Sequence, residues 1–375
     1  MNESSFDVVI AGAGIVGLAH ALAAARRGLR VAVVERDRRC VGASIRNFGF
    51  VTVTGQAAGD TWRRARRSRD VWLEVAQAAG IRIEQRGVWV LARRPAARTV
   101  LEAFVARSSM AEGCRLHDAA ELAALAPSLR SEGAAGALHS PHELRVESRD
   151  AIPRLAHWLA EAHGVRFFFG EAVLEADAPR LRTAQRTLHA ERVLLCPGTE
   201  LGGVGGERLA PHALRLTRLQ MLRVRAQPGF ALDAPLMTDL SLIRYGGFAS
   251  LPEAQALRAQ LQAEAGESLA HGIHLIAVQS ADGTLVVGDS HHDDGTAPSP
   301  FASEAIDRLI LGHLQQALRI DTVDVVERWT GVYPSGGPSD CLIDAPNDAT
   351  RIVVVTSGTG ASTAFAIAEE VFDGW

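Results

Sequence analysis

The chain opens on a short apolar run, Phe6-Asp7-Val8-Val9-Ile10-Ala11, with the length and composition of a strand buried on both faces. Gly12-Ala13-Gly14-Ile15-Val16-Gly17 follows without a break, then an alanine-rich stretch from Leu18 to Arg27 that reads as a helix ended by Gly28. Leu29 to Val34 forms a second apolar run, closed by Glu35. An apolar run ending in a small-residue turn recurs three times. Val165 to Phe169 leads into Gly170-Glu171-Ala172-Val173, and Arg192 to Cys196 leads into Pro197-Gly198. Arg351 to Thr356 leads into Ser357-Gly358-Thr359-Gly360-Ala361-Ser362-Thr363, with a helix predicted over Ala364 to Phe372. Between these units, Gly87 to Arg93 reads as a strand, helices follow through 125, and Met221–Arg225 and Leu285–Gly288 read as further strands. The pattern predicts an α/β chain, α+β overall, in which a parallel-sheet unit carries an inserted antiparallel sheet. No internal repeat or low-complexity linker interrupts it.

Each part of the first turn has a physical task. Gly12 permits the tight turn, Gly14 lets the backbone approach a pyrophosphate, and Gly17 lets the helix pack close on the sheet. The helix N-terminus offers free N–H groups to phosphate, and Glu35 can accept hydrogen bonds from ribose hydroxyls. Strand, turn, helix, second strand and acid in register specify a dinucleotide site. The glycine-rich turn at 358–360 brings a second helix N-terminus, which would stabilise negative charge at one edge of an isoalloxazine. Ala43-Ser44-Ile45-Arg46-Asn47-Phe48-Gly49-Phe50 supplies small and polar residues suited to passing close to a cofactor.

Composition removes several alternatives. The 375 residues are 47% hydrophobic and 22% charged, a globular balance over a length that gives two sub-domains a shared core. A net charge of −4 argues against nucleic acid as a partner. The one basic run, Arg63-Arg64-Ala65-Arg66-Arg67-Ser68-Arg69, sits among Trp62, Ala65, Trp72, Val75 and Ala79 at helical spacing, which predicts arginines on a wet helix face. Cys40, Cys114, Cys196 and Cys341 are scattered, without the spacing of a zinc site or disulfide framework, as expected of a cytoplasmic protein. Residues 8–25 imitate a membrane span, but Asp7 and the interrupting glycines predict strand, turn and helix instead. The sequence contains no lysine; all 39 basic side chains are arginine, which excludes Schiff-base chemistry and a P-loop ATPase. Nothing in it fixes an oligomeric state.

Taken together, these segments resemble the D-amino-acid oxidase and glycine oxidase superfamily of FAD-dependent amine oxidoreductases, over essentially the whole chain. The resemblance rests on GAGIVG with Glu35, the A-S-x-x-N-x-G run at 43–49, the Val173 segment and L-C-P-G at 195–198. It extends to the stretch from Pro334 to Asp344, which carries Pro338 and Asp340, and to G-x-G at 358–360. It implies a discontinuous Rossmann-type FAD-binding domain of the glutathione-reductase-like kind at 1–86, 145–213 and 322–375. The inserted substrate domain would hold 87–144 and 214–321. FAD is implied against Gly12, Ala13, Gly14, Ile15, Val16 and Gly17, with Glu35 and Arg36 at the adenosine end. Ala43, Ser44, Arg46, Asn47, Gly49, Val173, Cys196 and Gly198 follow along the cofactor. Gly331, Gly358, Thr359, Gly360, Ala361, Ser362 and Thr363 complete the set. The wording A-S-I-R-N-F-G-F-V-T-V-T-G-Q at 43–56, with G-D-S-H-H at 288–292, is similar to a bacterial branch associated with aminophosphonate breakdown.

Departures from the pattern bear on substrate. Glycine oxidases place an arginine for the substrate carboxylate after W-x-G-L, whereas Trp329-Thr330-Gly331-Val332 is followed here by Tyr333. Sarcosine oxidases attach FAD through a cysteine where this chain has Gly331, so the implied FAD is non-covalent. Their oxygen-activating lysine has no counterpart, leaving His291, His292 or Arg46 to help, or an acceptor other than oxygen. Arg46, Tyr245, His292 and Tyr333 are the candidates for substrate binding or oxygen activation. Arg244 and His291 are further candidates for an acidic tail, and Phe50, Phe248 and Trp329 for apolar walls. The expected reaction is hydride removal from the carbon beside a small amine, giving an imine that hydrolyses to aldehyde and amine. Two rivals remain. Gly288-Asp289-Ser290-His291 resembles a turn of flavin monooxygenases, although the glycine-rich run that should follow is missing. A non-catalytic flavin-binding redox sensor is the other.

Overall fold

The computed structural model describes residues 5–337 and 339–375. Residues 1–4, the start of the expected first segment, and Pro338, in the stretch from Pro334 to Asp344, lie outside them. Strand Ser5–Ala11 is the centre of the first sheet, flanked by Val31–Glu35 and Thr187–Leu195, both parallel to it. Arg166–Phe169 and Thr350–Val355 extend this parallel set on either side, and Cys341–Asn347 closes one edge antiparallel. A hairpin, Val173–Asp177 with Arg180–Thr183, brings the sheet to eight strands. Successive side chains of a strand point to opposite faces. Val8, Ile10, Val31 and Val33 therefore join one core, with Leu18, Trp72, Leu155 and Phe365 from covering helices, while Val9, Ala32 and Val34 join another on the far face.

Two helices begin earlier than their apolar patterns indicate. The first spans Ile15–Arg26, so Gly17 already lies within it. The last spans Gly360–Asp373 rather than starting at Ala364, because Thr363 Oγ1 donates to Thr359 O at 3.0 Å and braces the first turn. The arginine run lies on helix Asp60–Ala79 as expected, but its wet-face reading needs correction. Arg64 and Arg67 pair with Glu370 and Glu369 of the C-terminal helix, and Arg66 stacks 4.9 Å over the Trp62 ring. The run ties two helices together.

The second sheet has ten strands. Its spine is the pair Arg215–Ala226 and Val323–Ser335, hydrogen-bonded along their whole length. Strand Val323–Ser335, which the sequence boundaries group with the nucleotide half, thus belongs to this sheet. Ile83–Ala92 and Gly136–Val146 form its other long pair. The sheet is antiparallel as expected except at one place, where Leu236–Thr238 runs parallel to Trp89–Leu91. Helices Pro95–Arg107 and Ala254–Ala270 bury Phe104 and Leu257 against one face, and Ala119–Leu125 and Glu304–Ala317 bury Leu122 and Ile310 against the other. Among the described residues, no helix is long and apolar enough to cross a membrane.

Candidate active site

Beyond the carboxyl ends of Ser5–Ala11, Val31–Glu35 and Thr350–Val355 lies a cavity of about 1090 Å³, where open parallel sheets bind their ligands. One end is the glycine turn. Gly12 holds φ at +105°, and a Cβ there would stand 2.5 Å from the carbonyl oxygen of Cys196. At Gly17 a Cβ would stand 1.9 Å from the carbonyl oxygen of Gly12, so only glycine lets this helix rest on its own turn. Glu35 accepts from the Ala13 N–H at 2.8 Å and from Asp37 N–H at 3.1 Å. Ser44 Oγ accepts from Ile15 N–H at 2.9 Å. Among the described residues the amides of Val16 and Gly17 have no protein acceptor. Two free amides at a helix start, no acidic residue in its first turn, and a carboxylate at the end of the second strand are the donor and acceptor set a dinucleotide needs.

From this turn the wall continues through most of the residues singled out above. Gly12, Gly14, Ile15, Val16, Gly17, Glu35, Arg36, Ala43, Ser44, Arg46, Asn47, Val173, Cys196, Gly198, Gly331 and the run Gly358 to Ser362 all line it. Ala13, Gly49 and Thr363 do not. Ala13 acts through its amide on Glu35 and Thr363 braces its helix. Gly49 backs onto Val146 O and donates its N–H to Asn47 Oδ1 at 2.7 Å. Cys40 and Cys196 also reach the wall, where burial pushes the Cys40 thiol up to about 11 and raises that of Cys196 further. Such thiols are weak nucleophiles. Helix Gly360–Asp373 presents its N-terminus to the middle of the cavity, again without an acidic residue in its first turn. Volume, acceptors and two helix starts fit FAD.

The far end is built by the second sheet. Leu219, Ile276, Gly331 and Tyr333 roof it, and Phe50, Arg46, Arg244, Tyr245, His274, Asp289 and His291 complete it. Of the four substrate-side candidates, Arg46, Tyr245 and Tyr333 are here and His292 is not. His292 pairs in register with Arg218 and packs tilted against His271, ring centroids 5.4 Å apart. Adjacent residues of an extended chain face opposite ways, so His291 takes the cavity side instead. Phe248 is fully buried against Phe104, centroids 4.6 Å apart. Trp329 donates to Arg46 O at 3.1 Å and braces that loop from outside.

No arginine follows Gly331-Val332, but Arg244 lies beside Tyr333 in space. Arg244 Nη2 donates to Tyr333 Oη at 3.2 Å, and no carboxylate pairs with this guanidinium among the described residues. Arg244, His291 and Tyr333 also line a smaller adjoining cavity of about 330 Å³, so the cation stands at the junction of the two. Burial raises the Tyr245 and Tyr333 phenols, keeping both protonated.

His274 belongs to no sequence motif, and Asp289 enters the sequence reading only within the G-D-S-H-H run. Both are buried, with His274 Nδ1 3.0 Å from Asp289 Oδ1 but out of line for a hydrogen bond. His291 Nε2 lies 3.6 Å from Asp289 Oδ2, and its Nδ1 contacts Gly272 O at 3.1 Å. Burial opposes ionisation of Asp289, but His291, His274 and Arg244 outweigh it and hold the carboxyl near 2. Burial lowers both histidines.

No curated protein matches the sequence. Solved structures do match in fold, nearly end to end. Glycine oxidase from Geobacillus kaustophilus is 19% identical, covering 99% of this chain and 94% of that one with a TM-score of 0.76. Iminodiacetate oxidase from Chelativorans sp. BNC1 is 20% identical over 98% and 95%, TM-score 0.73. L-alpha-glycerophosphate oxidase from Mycoplasma pneumoniae, solved with FAD bound, is 16% identical over 99% and 95%, TM-score 0.74. Residues 7–373 match the DAO family, described as FAD dependent oxidoreductase. A glycine turn fitted to a dinucleotide, a second helix start midway along one cavity and a match over nearly the whole length lead to one conclusion: the chain belongs to the DAO family of FAD-dependent oxidoreductases.

Proposed function

We propose that this oxidoreductase acts on a small primary or secondary amine whose far end carries an acidic group, best an aminophosphonate such as 2-aminoethylphosphonate or its N-methyl form. The observation that carries this reading is Arg244, a cation without a carboxylate partner among the described residues, at the end of the FAD cavity remote from the glycine turn. Bound FAD supplies the two-electron acceptor for the C–H beside the nitrogen. The chain's own residues bind and orient. Tyr245, Phe50, Leu219 and Ile276 make a largely apolar wall, which favours the neutral amine required for hydride loss. Arg244, held by Tyr333, receives the acid oxygens.

An α-amino acid carries its acid on the reacting carbon, and the position after Gly331-Val332 that serves this purpose in glycine oxidases holds a phenol here. Arg244 stands instead where the cavity meets its smaller neighbour, which suits an acid separated from the amine by a further carbon. The runs at 43–56 and 288–292 favour phosphonate over carboxylate. The imine product hydrolyses to an aldehyde and an amine, and oxygen or another acceptor reoxidises the enzyme. Product analysis tests this. With 2-aminoethylphosphonate, phosphonoacetaldehyde and ammonia should form in equal amounts; with the N-methyl form, methylamine should replace ammonia. Turnover of glycine or sarcosine without turnover of either aminophosphonate would overturn it.

A further inference from the structure

We propose that His274, Asp289 and His291 form a binding site for a divalent ion of zinc type in the wall of the cavity. Their donor atoms lie within 4.8 Å of one another, with spacings of 3.0 Å from His274 Nδ1 to Asp289 Oδ1 and 3.6 Å from His291 Nε2 to Asp289 Oδ2. Three ligands around a tetrahedral zinc sit roughly 3.4 Å apart, given Zn–N and Zn–O bonds of about 2.1 Å. Two imidazoles and one carboxylate are a donor set for zinc-like ions, and they leave a fourth position open.

Hydrogen bonding among the three favours a cation between them. A carbonyl oxygen only accepts, so the 3.1 Å contact with Gly272 O commits the His291 proton to Nδ1 and turns the Nε2 lone pair toward Asp289. A ring nitrogen fixed in this way by a backbone carbonyl is the usual outer support of a metal-ligating histidine. His274 Nδ1 and Asp289 Oδ1 are both buried and both lack a hydrogen-bond partner among the described residues. Buried polar atoms seldom stand unpaired, because each forfeits its hydration. Here the His291 Nε2 lone pair and the two unpaired atoms, His274 Nδ1 and Asp289 Oδ1, meet at one carboxylate, an arrangement that an ion among them resolves. Tyr245, stacked 6.0 Å from the His274 ring, and the Gly272 carbonyl against His291 Nδ1 fix the rings before any ion arrives.

All three residues line the main cavity, so the open position faces the substrate space. There it takes an oxygen of the substrate's acidic tail beside Arg244. That last step rests on the amine-acid reading above; binding of the ion does not.

The test is zinc retention by the FAD-loaded protein. Stripped with a chelator, incubated with Zn²⁺ and desalted, the protein should keep about one zinc per chain, as expected for a preformed three-ligand site. Asp289→Asn and His274→Gln should bind at least ~100-fold more weakly, since loss of an outer-shell support alone costs ten- to a hundred-fold. His292→Gln, which alters the neighbouring His271–His292 pair, should bind like the parent. Flavin absorbance and thermal melting of the zinc-free forms report folding. Should Asp289→Asn fail to fold, His291→Gln at the cavity mouth supplies the same reading. No zinc retained by the parent, or equal retention in every variant, overturns the site. Retention is read without substrate, so failure of the amine reading leaves it untouched, and a zinc-free enzyme that still oxidises aminophosphonates removes only the site.

Discussion

Replacing Arg244 by methionine removes the guanidinium while keeping most of the stem. A charge-assisted hydrogen bond contributes about 1.5–3 kcal/mol. Arg244 is an exposed residue at the cavity junction, so solvent competes with it and the lower half of that range applies to each contact. With one such contact to the acid, binding should weaken by roughly 10- to 40-fold, at about 1.4 kcal/mol per tenfold. The guanidinium touches the tail, not the reacting carbon, so it holds ground state and transition state alike. The loss should therefore fall on the apparent dissociation constant, with the limiting rate of flavin reduction little changed. Anaerobic rapid mixing reads both quantities. An amine of the same length without the acid serves as control, and should lose no affinity when Arg244 is replaced. Tyr333→Phe, which removes only the 3.2 Å brace, should show a smaller version of the same shift. The reasoning fails if Arg244→Met slows reduction with unchanged affinity, or weakens the tail-less amine equally.

Gly17→Ala should yield largely FAD-free protein. Its Cβ would meet the Gly12 carbonyl at 1.9 Å, and reaching ordinary contact requires the helix to lift by roughly 1.5 Å, costing about 1–3 kcal/mol. Stoichiometric flavin in the purified variant refutes this. His20 is fully buried and burial lowers it from 6.5 to about 4. Below pH 6.5 the unfolded chain takes up a proton that native His20 refuses, so stability falls between pH 6.5 and 4 and then levels, a loss of about 3 kcal/mol. Denaturant titrations of His20→Leu should show a correspondingly shallower acid limb. Glu147 Oε2 accepts from Arg145 at 2.9 Å and Ser280 at 2.8 Å, and lies 3.4 Å from Arg223. Arg145 is 1% exposed, so Glu147→Gln strands a buried charge and should cost about 3–5 kcal/mol in a urea melt.

What the sequence discloses is what is local. Strand, glycine turn, helix and Glu35 fall within thirty-odd consecutive residues, and each glycine has a steric reason that holds whatever the rest of the chain does. The second sheet is legible as strands but not as partners. Nothing near Val323–Ser335 states that it will pair with Arg215–Ala226 a hundred residues earlier. The arginine run announces an amphipathic helix, while Glu369 and Glu370, which decide what its wet face touches, sit at the other end of the chain. The same distance hides the substrate end. Tyr333 in place of an arginine reads as a loss until folding brings Arg244 to it. Between His291 and His292 only strand register decides which faces the cavity, and His274 belongs to no motif.

The central claim is that this cavity joins FAD to an amine with an acidic tail. FAD-loaded protein mixed anaerobically with a panel of amines tests it most directly, with flavin bleaching as the signal. Full bleaching is expected with 2-aminoethylphosphonate or its N-methyl form, and little with glycine, sarcosine or amines of similar size without an acid. Bleaching by the α-amino acids alone, or by no amine at all, would contradict it.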